Sequence, residues 1–226
     1  MKERPILFSG PMVRAILEGR KTVTRRIAKP VKHPDLGNIY APGALVLEHE
    51  PQHVVDRACP YGQPGDRLWV RETWTDVNMC GAPALAYRAD EDIRDLMEEP
   101  GFLDDRGAFN YDDPRVKPYP FACWYAELDQ ARWRPSIHMP RWASRILLEI
   151  TSVRVERLQD ISEEQALAEG VRGEPCDHAR QACSDIGCWG DTAKGAFGFL
   201  WEQLNGAGAW QANPWVWVVE FKRVTP

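Results

Sequence analysis

The stretch that most constrains the fold is Arg145 to Arg157, where Ile146, Leu148 and Ile150 alternate along the chain before Val153 and Val155. Period-two alternation of branched apolar side chains predicts a half-buried strand. The segment after it is equally directive. Ser162 and Gln165 form a capping box, and Ile161 is placed to staple onto Ala166. The helix so begun runs to about Glu169, and Gly170 ends it. Glu169 in the last turn faces the negative end of the helix dipole, an unfavourable place for a carboxylate. Phe197, Leu200, Trp201 and Leu204 predict a second helix ending near Asn205-Gly206. A closing strand follows, with Trp215, Trp217, Val219 and Phe221 on one face and Val216 and Val218 on the other.

At the other end, Ile6-Leu7-Phe8 reads as a short strand and Pro11 as the first turn of a helix. Met12, Val13, Ile16 and Leu17 share one face of it, and Gly19 is placed to stop it. The chain then enters Arg20-Lys21-Thr22-Val23-Thr24-Arg25-Arg26. Lys21 and Thr24 make a base and a nucleophile if the amine is held neutral. Clustered Arg20, Arg25 and Arg26 push it that way, because like charges disfavour the protonated form. The plain alternative is a solvated basic turn. In a regular strand Lys21 and Thr24 point to opposite faces, so they share a site only if Arg20 to Thr22 turns irregularly.

Between the two ends the pattern is weaker. Ala44 to Glu48 reads as a strand, and Arg67 to Trp74 as another with Leu68, Val70, Glu72 and Trp74 on one face. A carboxylate continuing an apolar face calls for a buried salt bridge or an active-site acid, and pairing is the usual answer. Asp76 to Arg132 shows no sustained period; it contains an acidic helix candidate at Glu91 to Glu99 and a strand candidate at Phe121 to Glu127. It reads as an insertion carried on the domain without a core of its own. Trp133 to Trp142 is too rich in proline for a regular element, and His138 within it is either a general acid or base or a hydrogen-bonded structural histidine.

Composition narrows the classes. The chain has 226 residues, 44% hydrophobic and 27% charged, enough for a proper core. A net charge of −5 excludes whole-surface attraction to nucleic acid, so any RNA contact needs a local basic patch. No apolar run approaches a membrane span and no signal-peptide core stands at the start, so the expectation is a cytoplasmic protein without membrane contact. In that compartment the six cysteines are free thiols or metal ligands. Cys176, His178, Cys183 and Cys188 have the donor types of a zinc site but lack a paired C-x-x-C knuckle, so no metal is assigned. Ten tryptophans supply core and also material for stacking a nucleobase.

The run Ile16 to Arg26, then Pro64 to Glu72 and the closing Asn213 to Phe221, resembles the ASCH domain family, long phage and prophage branch. The resemblance implies an α+β, PUA-like mixed β-barrel with flanking helices, one domain over residues 1–226 with insertions at about 75–132 and 172–192. Short bacterial members include amidohydrolases that deacylate N(4)-acetylcytidine, with lysine and threonine in a G-R-K-T-x-T motif; Lys21 and Thr24 match it. Their glutamate lies in an A-x-x-E context late in the domain, which Ala166 to Glu169 resembles, with Glu72 the competing position.

The chemistry so implied needs no cofactor. Neutral Lys21 takes the proton of Thr24, or Thr24 orients a water, and Glu169 holds Lys21 and bonds the cytosine edge or returns a proton to the leaving amine. Arg26 or a backbone N–H stabilises the oxyanion, Trp74 or Trp133 stacks on the base, and Glu72 and His138 are further substrate contacts. The expected partner is a modified nucleoside, and RNA is the second candidate; no obligate protein partner is evident. Competing classes are an RNA-binding module or a ribonuclease using the Arg20 to Arg26 patch, and a phage accessory role without catalysis.

Overall fold

The computed structural model describes residues 1–171 and 192–225. Its main elements are β1 (Glu3–Leu7), α1 (Gly10–Leu17), β2 (Val23–Ile27), β3 (Val31–Lys32), β4 (Ile39–Tyr40), α2 (Ala44–Leu47) and α3 (Gln52–Ala58). There follow β5 (Arg67–Arg71), β6 (Trp74–Met79), β7 (Ala82–Tyr87), β8 (Ile93–Asp95), β9 (Leu147–Arg157), α4 (Glu163–Ala168), α5 (Ala193–Asn205) and β10 (Trp215–Val224). The class is α+β. A five-stranded sheet has the order β1-β5-β9-β10-β2, and two smaller sheets are β3-β4 and β6-β7-β8. Among the described residues the large sheet is open, with β1 and β2 at its edges. The chain divides into two compact units: Met1–Arg4, Ala15–Leu68 and Leu147–Thr225 form one, and Pro5–Arg14 with Trp69–Ile146 the other.

In the first unit, β10 pairs antiparallel with β9 along its length and with β2 on its other side. The pairing jumps from Glu220↔Ser152 to Phe221↔Ile150, leaving Thr151 as the extra residue of a bulge. That bulge is why the apolar phase of β9 slips between Ile150 and Val153 in the sequence. Val216 and Val218 bury one face of β10 against Ile161, Ala166, Phe197 and Trp201. Each such side chain contributes about 1.5–3 kcal/mol by leaving water. The capping box of α4 is formed: Ser162 Oγ accepts from Gln165 N at 3.2 Å, and Ser162 N donates to Gln165 Oε1 at 3.3 Å. Glu163, in the first turn of α4, accepts from the backbone N–H of Ala193 at 2.7 Å, and Thr192 caps α5.

Ala44 to Leu47 is helical rather than extended. A four-residue apolar run fits either state, and Gly43 decides it: its φ is +84°, and a Cβ there would lie 2.2 Å from the Trp215 ring.

The second unit differs more from the sequence reading. The strand expected through Trp74 stops at Arg71, and β6 begins at Trp74. β6 and β7 form a hairpin closed by Cys80 and Gly81, both at positive φ, the pattern of a two-residue primed turn. Ile93 to Asp95, expected in an acidic helix, instead adds β8 to the edge of β7. Tyr125–Gln130 is 3₁₀ rather than strand, and Phe121 sits at φ +48° where a strand cannot continue. The stretch also has a core, in which Trp74, Leu85, Tyr87, Phe102, Phe121 and Met139 take part. Loops and short strands contribute those residues, so no single period announces them.

Candidate functional site

Gly19, at φ +74°, releases the chain from α1. The N–H groups of Arg20 and Lys21 then both donate to Ala15 O at 2.9 Å, which makes Arg20 to Thr22 an irregular turn. Thr22 N donates to Ala168 O at 2.8 Å, and Lys21 bridges antiparallel to Glu169. The turn is thus pinned to the C-terminal end of α4. Gly170 makes the approach possible. It lies at φ +88°, and a Cβ on it would stand 2.7 Å from Ala15 Cβ and 3.0 Å from Lys21 Cβ.

Lys21 has no exposed side-chain surface. Its Nζ donates to Glu169 Oε2 at 2.5 Å, to Val23 O at 2.8 Å and to Glu169 O at 2.9 Å. Burial pushes its pKa below the ordinary lysine value; Glu169 opposes the shift, and Arg26 and Arg25 add to it. Glu169 caps α4 and is buried. Its dipole conflict is met by two cations, Lys21 on Oε2 and Arg25 Nη1 on Oε1 at 3.3 Å. Over 2.5 Å a proton needs little motion to pass between amine and carboxylate.

In β2 the side chains alternate. Val23 packs in the core with Val218, which is also the register partner of Arg25. Thr24 and Arg26 take the other face, opposite Val219 and Trp217. Thr24 is buried, and the Lys21 ammonium lies on the carbonyl of the Val23–Thr24 peptide. Arg26 is charge-coupled to both Glu169 and Tyr61; burial lowers its pKa and those two groups support its charge. The Tyr61 phenol is pushed up by burial, with Arg26 opposing.

The structure therefore brings Lys21 and Glu169 into contact, with Arg26 in their field. Two participants were missed from the sequence, Arg25 as a partner of Glu169 and Tyr61 beside Arg26. Arg25 carried a signal: it continues the apolar face begun by Val23, the same anomaly that marked Glu72.

Glu72, Trp74, Trp133 and His138 belong to the second unit. Glu72 is held by a fork from Arg145, Nε to Oε1 at 3.0 Å and Nη2 to Oε2 at 2.9 Å. Burial raises its pKa against the pull of Arg145. Arg145 also binds Asp90 and Asp92 and lies 4.1 Å over the Tyr87 ring, whose hydroxyl is pushed up to about 12 by burial. Trp74 is fully buried and packs edge-on against Tyr119 and Trp142. Trp133 lies under Arg88, and His138 is exposed at the end of a 3₁₀ turn, Ser136–His138.

Cys176, His178, Cys183 and Cys188 lie outside the described residues. Among the described residues no group of three or more His, Cys, Asp or Glu is gathered for a metal, and no helix is long and apolar enough to cross a membrane. Compared with known proteins, the chain matches no family model, no curated protein and no solved structure.

Proposed function

We propose that this chain is an ASCH-type, PUA-like amidohydrolase that removes the acyl group from the exocyclic amine of N(4)-acylated cytidine or a related modified nucleoside. The observation that carries the reading is the buried contact between Lys21 Nζ and Glu169 Oε2. These two residues are 148 positions apart; the motif resemblance points to Lys21, and its helix context points to Glu169 with Glu72 as the competing acid.

In this mechanism the Lys21 ammonium first passes a proton to Glu169, which burial of the pair favours because it removes two charges from a low-dielectric site. The neutral amine then takes the hydroxyl proton of Thr24 as its oxygen bonds to the acyl carbon. The tetrahedral oxyanion is met by Arg26, an interaction of about 3 kcal/mol in comparable sites. Collapse breaks the C–N bond, and the departing cytosine amine takes the proton from Lys21. Water then attacks the acyl-threonine ester, giving a proton to Lys21; Lys21 passes that proton to the departing Thr24 oxygen as the carboxylic acid leaves, and Glu169 hands its own proton back to Lys21.

The RNA-binding reading loses two of its cations to the interior, since Lys21 and Arg25 have no exposed side-chain surface. The deciding experiment incubates purified protein with N(4)-acetylcytidine and follows cytidine by chromatography. Cytidine release that disappears in Lys21→Ala and Thr24→Ala supports the hydrolase. No release, with salt-sensitive RNA binding in its place, overturns it in favour of a binding module.

A further inference from the structure

We propose that Arg25 is a positioning residue of this site: clamped by Glu156 and Gln165, its guanidinium holds Oε1 of Glu169 and so presents Oε2 to Lys21. The kinetic side of the inference rests on the amidohydrolase reading; the geometric side does not.

Arg25 stands on an apolar strand face between Val23 and the core valines of β10, with no exposed side-chain surface. A position that needed only filling would be served as well or better by an aliphatic side chain, because buried ion pairs seldom outperform well-packed hydrophobic replacements. What the arginine adds is direction. Nε and Nη2 both reach Glu156 Oε1, at 3.1 and 2.6 Å, and Nη2 also reaches Gln165 Oε1 at 2.8 Å. Glu156 is fixed in turn by Arg154, whose Nε lies 2.9 Å from Oε2, and Arg154 is paired with Glu220. The Gln165 oxygen is the one that closes the α4 capping box, so the first turn of that helix and the guanidinium share an atom.

The Phe197 ring lies 6.0 Å from the guanidinium carbon. One side of the fork is thereby committed to β9 and α4, and the other, Nη1, meets Glu169 at the opposite end of the same helix. Arg25 joins the start of α4 to its finish and sets how the terminal carboxylate is turned. Among the described residues, the charged and titratable groups around the Lys21–Glu169 pair are Arg25 and Arg26 from β2, Arg20 on the carbonyl of Gly170, Glu156 and, behind it, Arg154 from β9, Glu220 from β10, and Tyr61 through Arg26.

The test is a mutant cycle. Arg25→Met is expected to lower kcat for N(4)-acetylcytidine about a hundredfold, the cost of a misplaced catalytic group, with little change in KM. Arg25→Lys, which keeps the charge and loses the fork, should fall between. In a Glu169→Gln background Arg25→Met should remove almost nothing more, because its effect runs through Glu169, whereas a purely structural role would subtract equally in both backgrounds. Unchanged kcat, or full additivity, overturns the proposal. If Arg25→Met does not fold, Glu156→Gln and Arg25→Lys are compared in the same cycle. If the wild type releases no cytidine, the reaction is refuted and a second readout decides the positioning. The ¹⁵N resonance of Lys21 Nζ, assigned with Lys21→Arg, is titrated in wild type and Arg25→Lys. A displaced midpoint supports the role, and an identical one overturns it.

Discussion

Glu169 and Glu72 are both buried carboxylates, one in each unit, and each leans on a basic side chain. Their partners separate them. Glu72 meets the planar fork of Arg145, a group that keeps its charge at any accessible pH, and two further acids hold that fork in place. Burial raises the Glu72 pKa, but Arg145 has no proton to hand it. Glu169 meets a lysine whose pKa burial has already lowered, and only its second oxygen rests on an arginine. In the first pair the base is a fixed cation; in the second it is an amine that burial disposes to lose its proton. Similar burial thus falls on a fixed cation in one unit and on a titratable one in the other.

Four experiments bear on this contrast. The largest effect is expected from Lys21→Arg, which keeps a cation beside Glu169 but cannot become neutral. Turnover of N(4)-acetylcytidine should fall roughly a thousandfold, as expected for loss of a general base, while the protein remains folded by circular dichroism. An active variant would dissolve the distinction between the two pairs.

Next comes Arg145→Met. It strands Glu72 without its fork and should cost about 3–5 kcal/mol in urea unfolding, since breaking one side of a buried pair leaves an uncompensated charge. A loss under about 1 kcal/mol, the size of an exposed pair, would remove Glu72 from the comparison.

The third is the pH profile. Because the folded-state pKa of Lys21 is lowered, the folded protein holds fewer protons than the unfolded chain between that value and 10.5. Stability should therefore rise with pH across that window, the burial penalty being present below it. The Lys21 midpoint, followed by its Nζ ¹⁵N resonance, should lie below 10.5 and move upward in Arg26→Met, which removes a neighbouring positive charge. A midpoint unmoved by that change would detach Arg26 from the pair.

The smallest effect belongs to Ser162→Ala. Losing the α4 cap should cost about 1 kcal/mol in thermal unfolding. Its effect on turnover should be slight, since Arg25 still holds Glu169.

The first unit was legible where one period governs one element. β9, α4, α5 and β10 were read from alternation, a capping box and a helical stripe, and all four are present. The second unit was not, because its elements are short and their state is set by contacts. Ile93 to Asp95 is acidic enough for a helix surface, yet it pairs with Ala84, Leu85 and Ala86. The Cys80-Gly81 turn was readable in principle, but the strand after it, Ala-Pro-Ala-Leu-Ala-Tyr, alternates little in polarity and hides its period. At the site, spacing alone gave only an amine near an alcohol. Glu169 entered through motif resemblance and an unfavourable seat on the helix dipole. The grip of Arg25 could not be read, since it needs the bulged register of β9 to know where Glu156 falls.

Gly170 sets a final condition. Its hydrogen occupies the place where any other residue would carry a carbon, and that place is hemmed by Ala15 and Lys21. The separation between amine and acid is therefore gauged by an atom the chain does not have. Adding one methyl group there would wedge the turn away from the helix end and part the Lys21 amine from the Glu169 carboxylate.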